Sequence, residues 1–168
     1  MVSKVFKRLT THLLVLGMVA VAVAVAVADA ASSSAAAPAG QQAAGDTRAS
    51  STLTVRSTRY GRILFDGRGR ALYAFTRDQR GGSSQCNGAC AKKWPVYFAK
   101  GRPRAGTGAR QTLVGTTRRR DGQRQITYNG RPLYYYVGDK SPGQILCQNV
   151  NEFGGTWLVV HPNGQLVR

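Results

Sequence analysis

Histidine is almost missing from this chain. His12 and His161 are the only two in 168 residues. His12 sits in a leader-like segment, so the folded part keeps His161 alone. That leaves little material for a histidine-based metal site, a Ser-His-Asp triad or a Cys-His pair. Carboxylates are also scarce, with seven Asp and Glu against 24 Lys and Arg. The three cysteines form no second Cys pair of the kind zinc sites show, and no Cys-x-x-Cys-His of the kind that attaches haem. Gly67-x-Gly69 lacks the Lys-Ser/Thr ending and following helix of a phosphate loop. No catalytic residue, metal or cofactor is expected from these absences, and the sequence reads as non-enzymatic.

What is present begins with an export signal. Lys4, Lys7 and Arg8 precede an unbroken apolar stretch, Leu13 to Ala28, and Ala28-Asp29-Ala30 offers small residues for cleavage. At 16 residues the stretch is short for a spanning helix. An association with the membrane is expected only if this signal stays uncleaved. There is no Cys near the cleavage point, so a lipid-modified N-terminus is not expected. Residues 31–50, rich in Ala and Ser, contain no large apolar residue and read as a disordered tether. The expected organisation is therefore 1–30 signal peptide, 31–50 tether and 51–168 a single folded domain.

The formal net charge is +17. Losing residues 1–30 removes three cations and one anion and leaves +15. Such a surface is attracted to anionic cell-wall or surface polymers. No specific nucleic-acid partner is expected, and the oligomeric state is not legible. An exported protein meets oxidising conditions, so a disulfide is expected among Cys86, Cys90 and Cys147. Cys86 and Cys90 are the nearest candidates, which would leave Cys147 as a free thiol.

The folded part repeats itself. Gly69-Arg70-x-Leu72-Tyr73-x-Phe75-x-x-Asp78 returns as Gly130-Arg131-x-Leu133-Tyr134-x-Tyr136-x-x-Asp139, 61 residues later. Each copy is followed by one tryptophan, Trp94 and Trp157. The copies span about 53–99 and 112–162. Their local signals are strands and tight turns. Strands are expected at 53–57, 62–65, 71–76, 112–119, 123–128, 131–137, 156–160 and 165–167. Asp66-Gly67-Arg68-Gly69, Asp121-Gly122, Asn129-Gly130 and Pro162-Asn163-Gly164 supply turns. A short helical turn is expected near 87–93, and a loop over 100–111. The expected fold is all-β: two repeated antiparallel meanders packed as one small sandwich or barrel.

Tyr73 and Phe75 share one face of a strand, as do Tyr134 and Tyr136. They are expected to fill the core of each meander, with the tryptophan of the same copy packed on them. Asp78 and Asp139 are expected to tie off their own turns through local backbone hydrogen bonds. Two competing readings stay open. One is a binding protein for a small ligand or a redox partner, using the aromatic rows and Cys86/Cys90. The other is a hydrolase with Asp78 and Asp139 facing one pocket.

The two Tyr-x-aromatic-x-x-Asp motifs resemble those of the secreted-repeat family of predicted bacterial lipoproteins. Cys86-Asn87-Gly88-Ala89-Cys90-Ala91-x-x-Trp94-Pro95 is similar to that family's linking segment. Residues 151–160, Asn-Glu-Phe-Gly-Gly-Thr-Trp-Leu-Val-Val, resemble its closing segment. The resemblance covers about residues 53–162. It implies export to the cell envelope or beyond and carries no established activity. This chain departs from it in lacking the lipidation cysteine and in placing Cys147 where a glycine-rich loop is expected.

Overall fold

The structure, a computed structural model, describes residues 51–168. The signal and tether lie outside the described residues. Nine strands and one helix follow in order. They are β1 (Thr52–Thr58), β2 (Gly61–Asp66), β3 (Tyr73–Phe75), α1 (Ala89–Lys93), β4 (Arg104–Ala105) and β5 (Val114–Arg118). Then come β6 (Arg124–Tyr128), β7 (Arg131–Pro132), β8 (Val150–Glu152) and β9 (Gly155–Val159). They form three sheets of three strands, ordered β2-β1-β4, β3-β9-β8 and β5-β6-β7. The fold is all-β, and the sheets do not close into a barrel.

Each copy opens with a hairpin. β1 and β2 pair antiparallel from Leu53↔Asp66 to Thr58↔Gly61. β5 and β6 pair from Val114↔Tyr128 to Arg118↔Arg124. The next turn differs by one residue. In the second copy Asn129 and Gly130 both take positive φ, 51° and 72°, as a two-residue hairpin loop requires. In the first, the Asp66 carboxylate accepts the backbone N–H groups of Arg68 and Arg70 at 3.0 and 2.8 Å, and Gly69 takes φ 86°. A side chain at Gly69 would also strike the Arg56 guanidinium.

After these turns the two meanders interlock as they pack into one fold. β3 of the first copy pairs with β9 of the second, Tyr73 opposite Val159 and Phe75 opposite Trp157. Tyr134 of the second pairs with Val96 of the first. Tyr73 and Tyr134 exchange both backbone hydrogen bonds with each other, each 2.9 Å. A pseudo-two-fold axis therefore passes between these two residues. The matching bonds Leu64 N–H to Val160 O (2.9 Å) and Ile126 N–H to Tyr97 O (2.8 Å) obey it.

This exchange explains the other differences from the expected elements. The strand expected over 131–137 is regular only at Arg131–Pro132, because the chain then leaves β6 for the first copy. Residues 111–113 form a 3-10 turn before β5. The expected loop over 100–111 contains β4, which runs parallel to β1. A hairpin, β8–β9, carries Trp157, and its first strand, Val150–Glu152, replaces part of the expected loop. The final strand reduces to one bridge, Val160↔Leu166.

The interior divides into two clusters. One gathers Ile63, Phe65, Tyr73, Phe75, Trp94, Tyr134, Trp157 and Val159 with both Cys86 and Cys90. The other gathers Leu53, Leu64, Leu72, Tyr97, Ile126, Tyr128, Leu133 and Val160. Residues next to each other on a strand point to opposite faces, so Leu72 and Tyr73 feed different clusters. Burying each large side chain contributes roughly 1.5–3 kcal/mol.

Candidate functional site

Eight residues singled out by the repeat meet around the pseudo-two-fold axis. Trp94 and Trp157 stack face to face, centroids 3.9 Å apart and planes 2° apart. Phe75 stacks on the outer face of Trp157 at 4.3 Å. Tyr136 lies against Trp94 at 4.9 Å. Tyr73 meets Trp94 edge-on at 5.3 Å, and Tyr134 meets Trp157 edge-on at 5.1 Å. Each tryptophan thus takes one aromatic from its own copy and one from the other. The expectation that each copy packs its own aromatic row on its own tryptophan is half right, because Phe75 and Tyr136 are exchanged.

The aspartates are exchanged too. Tyr73 donates its hydroxyl to Asp139 Oδ2 at 2.8 Å, and Tyr134 donates to Asp78 Oδ2 at 2.5 Å. The second oxygen does the local work the sequence suggests. Asp78 Oδ1 accepts Gln85 N–H at 2.7 Å, and Asp139 Oδ1 accepts Leu146 N–H at 3.0 Å, seven residues on in both copies. Each carboxylate therefore ties its own loop to the opposite copy. Asp66 divides its oxygens in the same way: Oδ1 holds its own turn, and Oδ2 accepts the Tyr135 hydroxyl of the other copy at 3.0 Å. Burial is the first cause that raises Asp78 and Asp139 above the ordinary aspartate range. Burial, with the facing carboxylates, pushes the Tyr73 and Tyr134 phenols up as well.

The surroundings of the two dyads differ. Ser84 Oγ lies 2.6 Å from the Tyr134 hydroxyl. Near Tyr73, Ile145 stands at the position of Ser84, and Cys147, half-buried and outside any disulfide, is a neighbour of the phenol. Cys86 and Cys90 are disulfide-bonded, with Cα atoms 5.2 Å apart. Cys147 stands 61 residues after Cys86, at the equivalent place in the second copy, and Asn151 stands where Cys90 would recur. Trp94 Nε1 donates to Glu152 Oε2 at 3.0 Å, and Lys93 Nζ pairs with the other oxygen of Glu152. Trp157 Nε1 is buried with no partner.

Arg119 is a buried cation that the sequence reading missed among so many arginines. It bonds Gln125 Oε1 at 2.8 Å, Cys86 O at 2.8 Å and Asn87 Oδ1 at 3.0 Å, fastening the disulfide loop to the second copy. It follows directly on β5 between two exposed arginines, Arg118 and Arg120, and no local pattern in the sequence marks it out. A groove of about 570 Å3 lies elsewhere, lined by Arg80, Thr116, Thr117 and Asn129 among others. Neither it nor three smaller grooves reach Tyr73, Tyr134, Asp78 or Asp139. Among the described residues no cluster of His, Cys, Asp and Glu is arranged to hold a metal ion. Among them, too, no helix is long and apolar enough to cross a membrane.

A family model described as a secreted repeat of unknown function matches the chain twice, over residues 54–97 and 115–161. Neither a curated protein nor a solved structure matches. The two matched segments hold both halves of the exchanged core and cover more than half of the chain. The chain belongs to this family of secreted repeats, as an exported, extracytoplasmic protein built from two copies.

Proposed function

We propose that the domain is a non-enzymatic module that holds anionic polymers of the cell envelope on its arginine-rich surface. One observation carries this reading. Among the described residues, sixteen Lys and Arg are exposed but Asp121 is the single exposed Asp or Glu. Asp66, Asp78 and Asp139 are buried, and Glu152 is partly buried beside Lys93. The fold takes its few anions inside and leaves its cations outside, so little on the surface competes with an external polyanion. The cations cluster where strands end: Arg56, Arg59 and Arg62 around the β1–β2 tip, and Arg118, Arg120 and Arg124 around the β5–β6 tip. Arginine at such tips offers a planar, bidentate fork to phosphate and carboxylate.

Binding of this kind is electrostatic and is screened by salt. Purified protein should be retained by polyphosphate or a uronic-acid polysaccharide at low ionic strength and released as salt rises. A neutral polysaccharide should not retain it. Retention that ignores salt, or no retention at low salt, would overturn the proposal. Replacing Arg118, Arg120 and Arg124 together by Gln should move elution to lower salt without changing the melting profile.

A further inference from the structure

The exchanged core joins both tryptophans and three of the tyrosines, Tyr73, Tyr134 and Tyr136, into one array. The column runs Phe75, Trp157, Trp94, Tyr136, with centroid spacings of 4.3, 3.9 and 4.9 Å. Tyr73 and Tyr134 branch from it edge-on. The rings are in contact or close to it, so an electron vacancy needs no long step to cross the array. Its two ends differ. Phe75 is buried and is far harder to oxidise than an indole or a phenol. Tyr136 is partly exposed and neighbours the Cys147 thiol. The column is thus closed at one end and open at the other.

Proton acceptors are arranged to match. A phenol gives up an electron readily only if its proton leaves as well. The Tyr73 hydroxyl already points at Asp139, and the Tyr134 hydroxyl at Asp78. Burial raises both carboxylates, which makes them better bases. The indoles are treated differently. Trp157 N–H has no acceptor. Trp94 N–H faces Glu152, which Lys93 holds below the usual carboxylate range and so keeps a poor base. A vacancy on the stacked indoles therefore stays mobile, since neither indole has a good route for losing its proton.

We propose that this core is a one-electron relay that carries oxidising equivalents from the stacked indoles to the surface at Tyr136 and Cys147. The substrate class is a diffusible one-electron oxidant, such as an inorganic radical met outside the cytoplasm. Both indoles are fully buried, so the oxidant draws one electron from the Trp94–Trp157 stack across the intervening protein and is reduced, leaving an indole radical cation. Tyr73 returns an electron to the indole while its phenolic O–H proton passes to Asp139 Oδ2. Tyr134 and Asp78 form the equivalent station. Electron and proton return to the tyrosine when the indole is re-oxidised, so both stations hold the vacancy reversibly. At the open end Tyr136 supplies the electron and its proton goes to water. Cys147 then gives a hydrogen atom to the Tyr136 phenoxyl, breaking S–H and forming O–H. A small thiol or enediol in the medium restores the thiyl by donating a hydrogen atom to sulfur.

The test uses the disulfide-intact protein and photogenerated tris(bipyridine)ruthenium(III) as the oxidant. Transient absorption follows the indole and phenoxyl radicals, and a spin trap followed by peptide mapping locates the final radical. Trap adducts should concentrate on Tyr136 and Cys147. Tyr136→Phe should lengthen the indole radical's lifetime about tenfold, while Tyr60→Phe, outside the array, should leave it unchanged. The double substitution Asp78→Asn and Asp139→Asn should suppress the early phenoxyl signal and its solvent deuterium effect. The proposal is overturned if Tyr136→Phe decays like the parent protein, or if adducts spread over Tyr60 and other residues by exposure alone. Near-ultraviolet circular dichroism confirms that each variant keeps the packed core. A variant that loses it is replaced by Cys147→Ser, which should leave the final radical on Tyr136 instead of sulfur.

Discussion

The two copies deliver their tryptophans to one stack by different routes. From Cys86 to Trp94 the first copy takes eight residues; from Cys147 to Trp157 the second takes ten. The first crosses on α1, held by the Cys86–Cys90 disulfide and by Arg119 on the Cys86 carbonyl. The second crosses on the β8–β9 hairpin, whose turn places Phe153 and Gly154 at positive φ, 54° and 77°. One route is short and stapled, the other longer and hydrogen-bonded. The difference teaches that the end points, an aspartate loop and an indole, define the repeat, while the path between them is free. It also accounts for Cys147. In the second copy the chain makes a turn at Gln148 and Asn149, with Asn149 at φ 61°, and enters β8 at Val150. Asn151 occupies the place of the second cysteine, so Cys147 meets no partner there.

The sharpest way to break the comparison is at the stack. Trp94→Ala and Trp157→Ala should each cost about 3–5 kcal/mol. Because the rings touch, the double variant should cost less than the sum of the two. Urea denaturation of the four proteins in a cycle measures this. Additive losses would mean that the copies do not share one core.

The next effect separates the routes. Replacing Cys86 and Cys90 by Ser should cost about 2 kcal/mol, the loop-entropy value for so short a ring. Cys147→Ser should change stability little. Hydrogen exchange should show the loss confined first to residues near α1, with β8–β9 opening later.

The smallest effect tests the exchanged dyads through pH. The raised folded-state values of Asp78 and Asp139 lie above the unfolded value of 3.8. Proton binding is therefore stronger in the folded protein. The stability this supplies is complete below the ordinary aspartate range and is lost as pH rises through the folded values. Substituting both by Asn removes that fall. Urea melts from about pH 3 to about pH 7 should give a flatter profile for the double variant than for the parent. A parent profile that rises over this window would contradict the assignment.

Much of the fold was written locally. Asn129-Gly130 requires a two-residue hairpin loop and forms one, and Asp66-Gly67-Arg68-Gly69 closes the other. Alternation marks β1, and a helical turn before Pro95 becomes α1. The 61-residue period marks six of the eight core residues, and the one tryptophan that follows each copy gives the other two. What stayed hidden has no local pattern. β4 is two residues long and gains its partner from β1, some fifty residues away. Arg119 looks like its exposed neighbours Arg118 and Arg120, and its burial follows only from where the disulfide loop lands.

By itself the sequence determined an exported, cationic, all-β protein made of one motif used twice. It determined which residues carry that motif, because turn chemistry, strand alternation and repetition act between near neighbours. Only the tertiary structure decided that the copies interlock. Tyr73 finds Asp139 across 66 residues, and Tyr134 finds Asp78 across 56. A buried phenol and a buried carboxylate must each be satisfied, but that requirement does not say by which copy. The choice is made when the two indoles stack, since this packing turns each tyrosine toward the other copy's loop.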